Sequence, residues 1–235
     1  MSEKIISIDS VEPVEIYGVN DVKLNVIKKH FPKLKIIARG YSIKVLGDDT
    51  DIAFFEKKMS YRSNASHPER KKQQLSSRMA INELDPYFPF DQVVQNDNGK
   101  PYLISSGISF SLTHSKEMAG AIISENHEVG IDIEKISDRV LKVEKKFLHP
   151  YEILMLPEEK TERIRLLTLM WSVKETVFKC FGLPAIDFSD HIRINTIGRD
   201  YTEIKIDFKP LEICGASVFC RFIEEHWLTY MVYKK

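Results

Sequence analysis

Gly130-Ile131-Asp132-Ile133-Glu134 sets two carboxylates two residues apart among apolar neighbours. On a β-strand alternate side chains share a face. Ile131 and Ile133 then point into a core. Asp132 and Glu134 stand together on the other face, with Gly130 leaving space beside them. Two such charges repel, and a pKa rises unless a cation lies between them. A hard, oxygen-liking ion such as Mg²⁺ suits that place. A solvated strand face with ordinary surface acids fits the same pattern, and the strand alone favours that plainer reading.

A second segment shifts the balance. In Met170-Trp-Ser-Val-Lys-Glu-Thr-Val-Phe-Lys179, the residues Ile164, Leu167, Trp171 and Phe178 form an apolar stripe at helical spacing. Glu175 falls on or beside that stripe, where a carboxylate without a partner is costly. Lys179, at i+4, shares its side of the helix. The residues leave two readings open. One is an intrahelical Glu–Lys pair at the edge of a core. The other is a third metal-side carboxylate with a phosphate-binding lysine.

Ser111-Leu-Thr113-His114-Ser115 ends a strand with hydroxyls and an imidazole that could hold a phosphate, although taken alone the segment favours a plain polar turn. Asn98-Gly99-Lys100-Pro101 is a turn that could set a lysine over an anion. Glu69-Arg70-Lys-Lys72 with Arg78 is the one clear basic cluster, and such runs are usually solvated helix faces.

The elements that must carry these residues are legible. Ile5, Ile6 and Ile8 read as a strand and Val22–His30 as a helix stopped by Pro32. Leu34–Ala38 and Ile43–Leu46 read as strands, followed by a helix from Thr50 or Asp51 to about Met59. Ser60–Pro68 reads as a linker. A helix then spans Pro68–Leu84, with Leu75, Met79 and Leu84 as its apolar side. Strands are expected at Ile108–Thr113, Met118–Ser124 and Val129–Ile136, and helices at Ser137–Leu148 and Thr161–Phe181. From His191 to Tyr233 the alternation predicts an antiparallel meander.

Composition bounds the function. The 235 residues are 43% hydrophobic and 29% charged, which excludes a mostly disordered chain. Lys+Arg and Asp+Glu are 34 each, so any nucleic-acid or membrane surface must be a local patch. Cys180, Cys214 and Cys220 form no CxxC pair, the pattern of reduced packing thiols. The strongly apolar stretch near Leu166–Trp171 is far short of the ~18 residues of a membrane span. Acids near the N-terminus contradict a signal peptide. The expectation is a cytoplasmic protein without membrane contact.

Taken in order, the Arg/Lys helix ending Leu75-Ser-Ser-Arg78, Asn98-Gly-Lys-Pro101, Phe110-Ser-Leu-Thr-His-Ser115, Val129-Gly-Ile-Asp-Ile-Glu134 and Trp171-Ser-Val-Lys-Glu-Thr-Val-Phe-Lys179 resemble the Sfp-type 4′-phosphopantetheinyl transferases. The resemblance covers roughly residues 67–235. It implies transfer of the 4′-phosphopantetheine arm of coenzyme A to a serine of an apo acyl or peptidyl carrier protein, as in fatty-acid, polyketide or nonribosomal peptide synthesis. Adenosine 3′,5′-bisphosphate leaves. It further implies Asp132, Glu134 and Glu175 as Mg²⁺ ligands and Glu175, Lys179, Asp132 and His114 as catalytic residues. Arg70, Arg78, Gly99, Lys100, Pro101, Thr113, His114 and Lys179 would hold the coenzyme. Thr113 stands where the family more often has Ser, and Cys180-Phe-Gly-Leu-Pro-Ala lacks the Lys/Gly-rich loop of many members. Residues 1–59 instead resemble the small N-terminal domain of PhoH-like ATPases, without any GxxxxGK[ST] in the chain.

The resulting expectation is an α+β protein with two related α/β halves packed with pseudo-two-fold symmetry and antiparallel C-terminal strands. Residues 1–59 form a small α/β segment, either an appended PhoH-N-like module or part of the first half, with 60–105 the first transferase half and 106–235 the second half with the metal site. A monomer is expected, with no nucleic-acid partner. Two rivals stand beside the enzyme: a non-catalytic carrier-protein or RNA-binding module derived from it, and a metal-dependent nuclease, against which the zero net charge speaks.

Overall fold

The computed structural model describes residues 2–7, 17–18, 21–59, 68–104 and 107–234, and of residues 22, 23, 26, 57–59 and 68–74 the backbone alone. The expected linker, apart from Pro68, and Ile8 of the first strand lie outside the described residues. The chain divides into two compact units, Met1–Asn64 and Ala65–Lys235.

In the first unit, β1 (Ser2–Ser7), helix α1 (Val22–His30), β2 (Lys35–Arg39), β3 (Ser42–Gly47) and helix α2 (Asp49–Met59) follow the expected order. β3 is the central strand, antiparallel to β1 and to β2. Ile43 and Val45 alternate toward the core with Ile36, Leu24, Ile52 and Phe55. The Tyr17 hydroxyl donates to the Gly40 carbonyl at 2.8 Å and closes the turn between β2 and β3.

The second unit opens with α3 (Pro68–Leu84) and a two-stranded ribbon, β4 (Val93–Gln95) with β5 (Pro101–Leu103). The face that α3 buries is not the expected one. Leu75, Met79 and Leu84 are 39, 41 and 58% exposed, whereas Ser77 and Ile81 are buried. The helix packs through Ile81 on the apolar face of a second ribbon, with Phe110 in the same cluster, and the small Ser77 permits close approach. There the Ser77 hydroxyl reaches the Thr113 carbonyl at 3.3 Å.

That ribbon is β6 (Ser109–His114) paired with β7 (Ala119–Ser124). Beside it runs β8 (His127–Lys135), an edge strand of a five-stranded antiparallel sheet ordered β8-β12-β11-β10-β9. The other strands are β9 (Ile192–Ile197), β10 (Glu203–Phe208), β11 (Ile213–Ile223) and β12 (His226–Lys234), which is the predicted meander. β6 does not join this sheet by a backbone ladder. Its alternate hydroxyls do the pairing: Ser109, Ser111 and Thr113 accept from the N–H groups of Val129, Ile131 and Ile133 at 3.2, 3.2 and 2.9 Å. Edge amides that would otherwise be unpaired are thereby satisfied.

The helix expected at Ser137–Leu148 is broken into a 3₁₀ turn, Asp138–Lys142, and a short helix α4, Glu144–Phe147. A further short helix α5, Pro150–Ile153, follows. α6 (Lys160–Phe181) is capped by Glu159, whose carboxylate accepts from the N–H groups of Thr161 and Glu162, and ends at Gly182 with φ 59°. α7 (Phe188–His191) leads into β9. α6 is buried on most sides: Leu166–Met170, Ser172–Lys174, Thr176, Val177 and Cys180 are all covered. Its apolar content serves two layers, so of the expected stripe Leu167 is fully buried while Ile164, Trp171 and Phe178 are only partly so.

The space left by Gly130 has an occupant. A Cβ there would come under 3.0 Å from the Thr176 carbonyl oxygen and from Cys180. Gly130 lets α6 lie directly on β8. Among the described residues, 68–104 build one long helix and a two-stranded ribbon, without a counterpart of the five-stranded sheet. Fold class is α+β with antiparallel sheets. Gly130→Ala is expected to lower unfolding free energy by about 2–3 kcal/mol, as measured by urea denaturation. A loss under about 0.5 kcal/mol would mean that α6 has room to move.

Candidate functional site

The Gly130 contact brings the carboxylate face of β8 against α6. Asp132 is 3% exposed and is the hub of the junction. Its Oδ1 receives the Lys179 ammonium at 2.5 Å and the Thr113 hydroxyl at 3.3 Å, and its Oδ2 receives the Ser172 hydroxyl at 2.8 Å. Lys179 also reaches the Thr113 hydroxyl at 3.5 Å. Four side chains from β6, β8 and α6 thus meet at one carboxylate.

Glu134, two residues along β8, takes the Trp171 indole N–H on Oε1 at 3.3 Å. Burial, and then the Asp132 charge, push its carboxyl up to about 7 against the partial relief of that indole bond. Glu175 is raised to about 7 as well, by burial first and by Asp132 second, with Lys179 opposing. Both glutamates feel the Asp132 charge, and Lys179 offsets part of it. His114, at the end of β6, titrates below its usual value because the ring has lost solvent and faces Lys179.

The structure therefore gathers Asp132, Glu134, Glu175, Lys179, Thr113 and His114. Thr113 is buried, with its hydroxyl committed to the Ile133 amide and to Asp132. Any effect it has on a phosphate passes through Asp132 and Lys179. The other expected contacts lie elsewhere. Lys100 is bound to the Cys180 carbonyl and pairs with Glu128 at 3.4 Å. The amides of Asn96 and Asn98 both donate to the Gly182 carbonyl at 3.1 Å, so the turn containing Gly99 and Pro101 clamps the C-terminal end of α6. Gly99 has φ +79°, which explains the glycine. The guanidinium of Arg78 lies over the Phe90 ring at 4.8 Å. Arg70 is in the first turn of α3, and its side chain is outside the described residues.

Among the described residues, no three of His, Cys, Asp or Glu are already gathered closely enough to enclose a metal ion. The donor chemistry nevertheless fits a hard cation. Three carboxylates share the junction, and two are held near half-protonation for want of compensating charge.

Sequence reasoning overlooked a second ion pair. Lys174 and Glu152 are both fully buried and meet at 2.7 Å. The Lys174 ammonium also donates to the carbonyls of Phe147 and Phe188 at 2.8 and 2.9 Å. Glu152 also accepts from the amides of His149 and Ile194, each at 2.7 Å. Burial lowers the Lys174 pKa, opposed by Glu152. This pair recruits the Phe147 carbonyl and so ends α4, and it fixes Phe147 edge-on to Trp171 at 5.2 Å. The signal for it was the helical position of Lys174, among buried Met170, Val173 and Val177.

An α+β frame with an acidic centre and a resident ammonium is equipment for metal-assisted chemistry on phosphates. Comparison with known proteins narrows the class. Residues 128–231 match the family model of the 4′-phosphopantetheinyl transferase superfamily. The chain is 35% identical over 89 residues to 4′-phosphopantetheinyl transferase gsp of Aneurinibacillus migulanus, 37% of each chain. It is 32% identical over 93 residues to 4′-phosphopantetheinyl transferase HetI of Nostoc sp. (strain PCC 7120), 36% of this chain and 38% of that one. The chain thus spans little more than a third of the length of these curated relatives. The matched residues 128–231 hold Asp132, Glu134, Glu175 and Lys179. The match lies C-terminal to residues 1–59 and leaves their PhoH-like resemblance unsupported. No helix among the described residues is long and apolar enough to cross a membrane.

Two outcomes are expected. Glu134 and Glu175 have folded pKa values above 4.5, so the native state holds more protons than the unfolded one between about pH 4.5 and 7. Their contribution then favours folding at low pH and is lost as pH rises through 7. In metal-free protein the Glu134→Gln/Glu175→Gln variant should gain Tm over wild type at pH 8 and lose that advantage at pH 4.5. An advantage independent of pH would sink the assignment. Lys174→Met should destabilise by about 3–5 kcal/mol, because it strands a buried Glu152; calorimetry showing a loss below about 1 kcal/mol would refute it.

Proposed function

We propose that this chain transfers the 4′-phosphopantetheine arm of coenzyme A to a serine of an apo carrier protein and releases adenosine 3′,5′-bisphosphate. The observation that carries this reading is the convergence of Asp132, Glu134 and Glu175 with Lys179, inside the segment that matches the transferase superfamily. The two relatives are transferases of that name.

Asp132, Glu134 and Glu175 would hold Mg²⁺, which when bound supplies positive charge against the coenzyme pyrophosphate. Lys179 already stands on Asp132 with its side chain 28% exposed. It can turn its ammonium to a phosphate oxygen and balance charge that develops during transfer. Glu175, with a carboxyl near 7, is matched to accept the serine proton at neutral pH. His114, neutral at that pH, offers a ring N–H to a phosphate. Trp171 holds the Glu134 carboxylate in place through its indole.

The adenine and 3′-phosphate end falls to Arg70, Arg78 and the Gly99-Lys100-Pro101 turn in this reading. Lys100 would have to release Glu128 and the Cys180 carbonyl to serve. In this reading residues 60–105 act as the first half of the enzyme beside residues 106–235. The protein works as a cytoplasmic monomer, with carrier protein and coenzyme A as its partners.

The test is the intact mass of an apo acyl carrier protein after incubation with the protein, coenzyme A and Mg²⁺. Addition of phosphopantetheine is expected, falling at least ~100-fold in rate for Glu175→Gln and also for Lys179→Ala. No addition to any of several carrier proteins, with coenzyme A binding absent by calorimetry, would replace the enzyme with a non-catalytic module. Nicking of plasmid DNA would favour a nuclease.

A further inference from the structure

Beneath Asp132 lies a line of hydroxyls that no step above uses. Ser172 and Thr176 stand on the face of α6 that meets the sheet. Thr229, on β12, is the cross-strand partner of Asp132. All three are 0% exposed. The Ser172 hydroxyl is 2.8 Å from Asp132 Oδ2 and 2.9 Å from the Thr229 hydroxyl, which is 2.6 Å from the Thr176 hydroxyl. Thr229 also donates toward the Ser172 carbonyl at 3.0 Å, and Thr176 toward the Thr229 carbonyl at 3.2 Å.

The acid end sets the direction of this line. A carboxylate only accepts, and each hydroxyl has one proton. The Ser172 proton therefore points at Oδ2. The Thr229 proton faces Ser172, between its hydroxyl and its carbonyl. The Thr176 proton is left for the Thr229 oxygen. Donation runs Thr176 to Thr229 to Ser172 to Asp132, and each bond polarises the next.

We propose that Ser172 is a positioning residue for Asp132, with Thr229 and Thr176 orienting its hydroxyl. The role given to Asp132 rests on the transferase reading. By holding Oδ2 from within, Ser172 fixes the rotation of the carboxylate and leaves Oδ1 turned to Thr113 and Lys179. Lys179 bonds only Oδ1, so the second oxygen is held by Ser172. Alanine or valine would fill the same space without the dehydration cost of three buried hydroxyls, so the hydroxyls are explained by the acid they serve.

The experiment compares Ser172→Ala, Thr229→Val and Thr176→Val in the full chain. Three quantities are read: the Asp132 carboxylate in crystal structures, affinity for Mn²⁺ as probe, and kcat and KM for coenzyme A. Ser172→Ala should show a rotated carboxylate, Mn²⁺ affinity lower by about 10-fold and kcat lower by about 10–100-fold, with KM nearly unchanged. Thr229→Val should have a smaller effect and Thr176→Val the smallest. If Ser172→Ala does not fold, Thr229→Val carries the test. An unmoved carboxylate with wild-type Mn²⁺ affinity overturns the proposal. So do activity losses that merely track Tm without this rank. Wild-type protein that binds Mn²⁺ but transfers nothing overturns the transferase reading instead, while carboxylate angle and Mn²⁺ affinity still decide the role of Ser172. Wild-type protein that binds no Mn²⁺ overturns both.

Discussion

A carboxylate almost wholly removed from water must be compensated on every lone pair, and Asp132 sets that demand at the centre of the second unit. Its partners come from β6 and α6. They meet only because β8 offers an edge to the hydroxyls of β6 and a glycine to the helix. Compensation of one acid therefore ties three elements together. The same arrangement leaves Glu134 and Glu175 undercompensated, which is how a rigid scaffold acquires carboxyls that titrate near neutrality.

The second buried charge does different work. Lys174 and Glu152 are fully satisfied by each other and by backbone groups from four short segments. Such a pair offers little net stability but penalises any packing that separates it. Here it fastens the irregular run after Glu134 to the residue beside Glu175. Adjacent residues of α6 thus have opposite fates. Lys174 enters the core, and Glu175 stays at its margin, where a ligand could reach it.

Much of the fold was legible because its signals are local. Breakers and alternation marked β2, β3, α1 to α3 and the span of the C-terminal meander to within a residue or two, while β1 starts three residues before the first expected one. The face of α3 was misjudged because spacing shows which residues share a side but not which side finds a partner. Ser77 and Ile81 met the ribbon, while Leu75 and Met79 did not. The split of the expected helix into Asp138–Lys142 and α4 was also invisible in the residue spacing.

At the site, strand and helix periods put Asp132 beside Glu134 and Glu175 beside Lys179 but left plainer readings open, and the expectation of a phosphate-related centre came with the family resemblance. Tertiary structure decided the rest. It spent the space beside Gly130 on α6, buried Thr113 under Asp132, and drew Lys100 to the end of α6. It also recruited Thr229 and Glu152, which lie outside every motif, and gave Ser172 and Lys174 partners that the helix motif does not name. The physical reason is range. Periodicity is a property of neighbours along the chain, whereas the partner of a buried charge is chosen by whatever the fold brings within 3 Å or so.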